Sequence, residues 1–251
     1  MYKKLWLLFV CLFYFSLAQL YASTLHMIIV AETDDYQLGA VIDYERVQQQ
    51  AKTITELADM KLSVYRFKKA SLSALYLKNQ LENIRCGYDD VIWFYYAGHG
   101  FNSPKGNGRF PGMAIGNSQF PQESIHRLLK TKGARLVITL FDCCNYASQL
   151  STLVTIPAPN KRGYRKLFRQ ASGSIKIASN TAGPQSYSFS SPEEGGIFTS
   201  CFLQSIEHTT SLPLYKCTWE NLLIQARANT NTLANVHGRS QIPYYELQLH
   251  Y

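Results

Sequence analysis

The sequence predicts an α/β fold on a mostly parallel six-stranded sheet with helices on both faces. Three observations predict it. Apolar runs of strand length alternate with stretches of helical periodicity over residues 25–141. Two of these runs, residues 91–96 and 136–141, are continuously apolar, as strands covered on both faces are. Both then end abruptly in reactive groups: His99 between Gly98 and Gly100, and Asp142, Cys143 and Cys144. In open parallel sheets, ligands bind beyond the carboxyl ends of the strands.

Residues 25–31 (LHMIIVA) read as the first strand, broken by the acidic stretch 32–35. Residues 43–60 carry Val47, Ala51, Ile54, Leu57 and Ala58 at helical spacing. Residues 62–67 (LSVYRF) alternate as a second strand. Residues 71–86 return to helix, with Leu72, Leu75, Leu77 and Leu81 apolar and Ser71 as N-cap. The third strand, 91–96, completes a strand–helix order that implies right-handed parallel crossovers. Residues 101–119, rich in Gly, Asn, Ser and Pro, read as a loop or small hairpin beside the site. A short helix over 121–132 has Pro121 early and Gly133 past its end. Residues 136–141 are the fourth strand. Residues 145–173 lack a strong pattern, and 160–170 (NKRGYRKLFRQ) read as a solvated or cleavable basic loop. A fifth strand at 174–179, a loop at 180–195 and helices from 197 and 218 follow. The chain closes on an edge strand at 239–247, where Pro243 is tolerated.

Hydrophobic residues make up 46% of the 251, enough for one sizeable core and a single domain. The net charge of +8 is scattered in short clusters. Without a long basic run or an aromatic–basic repeat, it reads as a solvated surface rather than a nucleic-acid footprint. The first 22 residues read as a secretory signal peptide: Lys3 and Lys4, then an apolar stretch over 5–18, then small residues at Ala18 and Ala22. Cleavage near Ala22 leaves a domain over 23–251, and an uncleaved leader would anchor it. No later stretch resembles a membrane span. Cys11 lies in the leader, and Cys86, Cys143, Cys144, Cys201 and Cys217 remain. Export permits disulfides, and the odd number leaves a thiol unpaired. No His/Cys spacing suits zinc, so no structural metal is expected.

Along an extended strand, alternate side chains share a face. Asp142 and Cys144 therefore point to one side and Cys143 to the other. His99 precedes Cys144 by 45 residues. A base and a thiol at adjacent strand ends are the parts of a cysteine nucleophile mechanism.

The stretches YYAGHG (residues 95–100) and DCCN (142–145) resemble the caspase-like, clan CD, C14 cysteine peptidases. They are closer to metacaspases and bacterial caspase-like peptidases, with YYSGHG-type and D-x-C motifs, than to animal caspases with Q-A-C-x-G. Residues 196–203 (GIFTSCFL) resemble the family's helix start after the fifth strand. The resemblance runs from about residue 25 to 247 and implies a caspase-like three-layer sandwich. It implies Cys144 as nucleophile, His99 as general base and acid, and the Gly100 and Cys144 N–H groups as oxyanion hole. Asp142 would line the pocket for the side chain before the cut, where a carboxylate favours Arg or Lys. Its structural alternative is to cap a following helix. With such specificity, Arg162, Arg165, Lys166 and Arg169 become candidate self-cleavage sites. The resemblance implies protein or peptide substrates and no cofactor. Some metacaspases depend on calcium, but no acidic cluster here suggests it.

Two features depart from the family pattern. The motif continues Asn145-Tyr146-Ala147 without the usual glycine, and the acids after the fifth strand, Glu193 and Glu194, come late. A catalytically inactive caspase-like adaptor or inhibitor is therefore the second reading. A redox protein using Cys143-Cys144 is the third.

Overall fold

The structure, a computed structural model, describes residues 23–68, 72–102, 109–143, 145–147, 158, 160–181 and 188–250. Six strands form the central sheet: β1 (Thr24–Ala31), β2 (Lys61–Lys68), β3 (Val91–Gly98), β7 (Leu136–Cys143), β9 (Ser172–Ala178) and β12 (Tyr244–His250). Their order is β12-β9-β7-β3-β1-β2. All neighbours are parallel except β12, which runs antiparallel to β9. Every residue of β3 and β7 is buried, whereas the edge strands β2 and β12 are mostly half-buried or exposed. Position in the sheet thus accounts for continuous apolar runs in the middle and mixed ones at the rims.

Helices cover both faces. One carries α1 (Ala40–Ala58), α4 (Lys161–Arg165), α5 (Ile197–Ser211) and α6 (Trp219–Val236) over a core that includes Trp93, Tyr95, Ile138, Leu140, Phe198 and Trp219. The other carries α2 (Ala74–Asn83) and α3 (Gln122–Lys130) over Phe94, Tyr96, Val137 and Phe141. The two sets of β3 and β7 side chains alternate between cores, as strand geometry requires. Among the described residues, no helix is long and apolar enough to cross a membrane. The leader, residues 1–22, lies outside the described residues.

Several local expectations are corrected. The segment 160–170 is not a loop. Asn160 caps α4 by accepting the Arg162 N–H at 3.0 Å, and a π-helical turn (Lys166–Gln170) continues it. Tyr164, Leu167 and Phe168 are buried, while Arg162 and Arg165 stay exposed. The basic stripe is the wet face of an amphipathic helix. Arg165 pairs with Asp59, and Lys166 Nζ reaches the Leu214 carbonyl at 2.5 Å. The candidate cleavage sites Arg162, Arg165, Lys166 and Arg169 therefore lie on helical backbone. A protease reads extended chain, so cutting there requires this segment to unwind first. The start of α2 is capped by Ser73, not Ser71, and Pro121 is the N-cap of α3 rather than an early helical residue. The Gly-rich stretch after β3 contributes a small antiparallel sheet of β4 (Gly100–Asn102), β5 (Pro111–Ile115) and β6 (Ser118–Pro121), and a second small sheet joins β8 (Asn145–Ala147), β10 (Ser188–Ser191) and β11 (Gly195–Gly196).

One buried base gives the fold a pH dependence. His126 on α3 is buried and Nδ1 lies 2.9 Å from Thr139 Oγ1. Burial, then the nearby Lys176 ammonium, push its imidazole down to about 4. The unfolded chain binds this proton more readily, so the stabilisation holds above the ordinary value of 6.5 and is lost as pH falls through about 4. The full loss is on the order of 3 kcal/mol. Chemical denaturation across that window should show it, and His126→Asn, which keeps an acceptor near Thr139, should flatten the slope.

Candidate active site

The β3–β7 ladder runs level to its end: Ala97 faces Asp142, and Gly98 faces Cys143. His99 is the next residue on one strand. Cys144 is the next on the other and lies outside the described residues. Cys143 packs in the core under α2 and α3, with Sγ 4.0 Å from the Gly112 carbonyl oxygen. Asp142 points to the opposite face, as strand alternation predicts.

The main chain of His99 is held on both sides. Its N–H donates to Glu32 Oε2 at 3.0 Å. Its carbonyl accepts from the Tyr96 hydroxyl at 2.6 Å and from the Ala114 N–H at 3.0 Å. Glu32 lies at the end of β1, is buried, and donates its own N–H to the Ala97 carbonyl at 2.9 Å. Gly98 is required for this arrangement, because a Cβ there would sit 2.4 Å from Glu32 Cγ and 2.6 Å from the Tyr96 hydroxyl. The His99 imidazole is half exposed, and Nε2 lies 3.1 Å from Asp35 Oδ2. Gly100 opens β4, whose pairing with β5 fixes the backbone after the histidine.

Asp142 is buried among hydroxyls and backbone. Oδ1 accepts from Ser188 Oγ at 2.5 Å, and Oδ2 accepts from Thr199 Oγ1 at 2.7 Å and the Thr199 N–H at 3.2 Å. Thr199 is the third residue of α5, so Asp142 caps that helix from another strand. The capping role is present, but on a distant helix rather than the next one in sequence. Tyr95 joins the network through Thr199 Oγ1 at 2.7 Å, and Gln241 reaches Ser188 Oγ at 2.9 Å.

A second carboxylate lies beside the first. Asp43, in the first turn of α1, accepts the Gly196 N–H at 2.9 and 3.0 Å. A Cβ on Gly196 would stand 2.5 Å from Asp142 Oδ2 and 3.1 Å from Asp43 Oδ2. The two acids thus flank one glycine. Burial, then the neighbouring Asp142, hold the Asp43 carboxyl well above the usual carboxylate range. Burial also raises Asp142, partly offset by the hydrogen bonds from Ser188 and Thr199. Among the described residues neither acid forms an ion pair; Arg46 acts on Asp43 only at longer range. The second acid comes from α1, not from the loop carrying Glu193 and Glu194.

Sequence reasoning missed Glu32, Asp35 and Asp43. The first two were legible as acids ending a strand at the carboxyl edge of the sheet. Nothing local marks Asp43, which looks like an ordinary acid in a helix's first turn. A surface groove of about 400 Å³ between α1 and α5 shares Gly196 but includes neither His99 nor Asp142. Among the described residues one metal-capable trio converges, His26, Cys86 and Asp90, at the opposite end of the sheet. There the Asp90 carboxylate already accepts from the Gly87 and Thr24 N–H groups at 2.6 and 2.7 Å and faces His26 Nε2 at 3.1 Å.

A family model for the caspase domain of the C14 peptidases matches residues 44–250. Among solved structures, the Drosophila initiator caspase Dronc aligns over 89% of this chain and 78% of its own, at 14% identity and a TM-score of 0.47. No curated protein sequence matches.

The Asp43 burial has a testable sign. Its raised folded-state value means that the unfolded chain releases this proton first, so stability is fullest below 3.8 and falls as pH rises through the folded value. Asp43→Asn keeps an acceptor for Gly196 and removes the charge. Scanning calorimetry near neutral pH should find it more stable than the parent, by about 2–4 °C for each kcal/mol relieved. The gain should shrink toward acid; a gain constant with pH would contradict the burial argument.

Proposed function

Because this chain belongs to the caspase-domain family of cysteine peptidases, we propose that it is an exported endopeptidase cutting after Arg or Lys with a Cys144–His99 dyad. The observation that carries the specificity is the pair of buried carboxylates, Asp43 and Asp142, without an ion-paired cation among the described residues. Two carboxyl groups held out of water without a counter-charge gain from the arrival of a guanidinium or ammonium, which favours their ionised form, and they oppose an acidic side chain. The level ends of β3 and β7 support the dyad, since they bring His99 and the start of the thiol-bearing segment to one rim of the sheet.

In this mechanism His99 removes the Cys144 thiol proton, and the thiolate attacks the carbonyl carbon of the scissile bond. The N–H groups of Gly100 and Cys144 receive the oxyanion. The imidazolium then protonates the leaving amine, and water, deprotonated by His99, hydrolyses the thioester. The Lys3-Lys4 start and apolar run of residues 5–18 support export, with the leader removed near Ala22.

A second reading, a non-catalytic adaptor, is favoured by the same Asp142 contacts. A carboxylate that caps α5 would be kept for folding alone.

Matched peptide reporters with Arg, Lys or Asp before the cut distinguish these readings. Turnover after Arg and Lys is expected, lost by roughly 10³-fold or more in Cys144→Ala and in His99→Ala. Hydrolysis of the Asp reporter would keep the peptidase and overturn the pocket argument. No turnover of any reporter would favour the adaptor. Intact-mass analysis of an active preparation should find no cut after Arg162, Arg165, Lys166 or Arg169, because α4 and the π-helical turn that continues it withhold those bonds.

A further inference from the structure

We infer that Asp35 is the positioning residue of His99, making the proposed dyad a three-residue device. The inference rests on the peptidase reading and adds to it a carboxylate that no motif marks.

Two acids approach the imidazole, and distance separates their tasks. Glu32 Oε2 lies 3.8 Å from Nε2, too far for a hydrogen bond, and instead accepts the His99 main-chain N–H at 3.0 Å. Asp35 Oδ2 lies 3.1 Å from Nε2, within hydrogen-bond range. Glu32 therefore holds the backbone and Asp35 holds the ring. The Asp35 carboxylate is itself anchored: Oδ1 accepts the Gln37 N–H at 3.0 Å and caps the 3-10 turn Tyr36–Leu38. That turn ends on Gly39, at φ 58°, which leads into α1 and thus to Asp43.

A carboxylate accepts but cannot donate, so in the neutral imidazole Nε2 must carry the proton. Nδ1 is then left with its lone pair. Among the described residues no hydrogen bond reaches Nδ1. In the proposed dyad Nδ1 is therefore the nitrogen left to take the thiol proton: the Cys144 S–H bond breaks, the His99 Nδ1–H bond forms, and the Nε2 proton stays on the ring, donated to Asp35 throughout. Without Asp35 the half-exposed ring can rotate and exchange tautomers, and only part of the population is set to act.

The full chain tests this with Asp35→Ala, Asp35→Asn and Asp35→Ser. Asparagine keeps an acceptor for Nε2–H. Serine keeps a cap for the turn but falls short of the ring, so it separates lost positioning from lost folding. With an Arg reporter, Ala and Ser should lower kcat on the order of 10- to 100-fold with little change in KM, and Asn should recover most of the loss. The ¹⁵N resonances of the His99 ring, assigned by their disappearance in His99→Gln, should report the Nε2–H tautomer in the parent and in Asn. Ala and Ser should give a tautomer mixture. An unchanged tautomer together with unchanged kcat in Ala and Ser would overturn the inference, as would an effect confined to KM. If the parent turns over no peptide, the peptidase reading fails, and the ring resonances still decide whether Asp35 sets the tautomer.

Discussion

The parallel pairing of β3 with β7, in register to their last residues, is the constraint on which the rest depends. Gly98 lies opposite Cys143, so the two strands stop at the same height. Neighbouring strands are about 4.8 Å apart. Gly98 and Cys143 are therefore neighbours, although 45 positions separate them in the chain. The register is enforced by burial on both faces. A slip of one residue would move Trp93 and Tyr95 out of one core and Phe94 and Tyr96 out of the other.

The same rim collects four acids with two duties. Glu32 and Asp35 follow β1 and engage the backbone and ring of His99. Asp142 ends β7, and Asp43 sits in the first turn of α1. Parallel strands followed by crossover helices gather helix N-termini at the carboxyl edge, where partial positive charge and unpaired N–H groups favour anions. Asp142 uses this directly by accepting the Thr199 N–H of α5. Burial still exceeds what these donors return, so both acids hold their protons more tightly than in water. That residual demand for positive charge is what the proposed cleavage after Arg or Lys rests on.

Much of the architecture was legible from local pattern. The apolar runs of β1, β3 and β7 lie where continuous hydrophobicity puts them, and the strand alternation at Asp142 and Cys143 holds. The segment 160–170 misled because five basic residues masked the buried spacing of Tyr164, Leu167 and Phe168. Its helix is short and carries Gly163, which propensity disfavours. Tertiary contact explains that glycine, since a Cβ there would lie 2.1 Å from the Thr210 carbonyl oxygen of α5.

The amino-acid sequence by itself determined the α/β class, the strand ends that carry His99 and Asp142, and the motif resemblance. Each of these depends on neighbours a few residues apart. Only the tertiary structure decided which distant acids stand beside them. Asp43 reaches Asp142 because α1 crosses the sheet to meet Gly196, and Asp35 reaches His99 because β1 ends beside β3. Such pairings depend on strand order and helix crossing, which periodicity within a window does not encode. A carboxylate's role follows from what it is buried against, so those roles appeared only once the sheet was assembled.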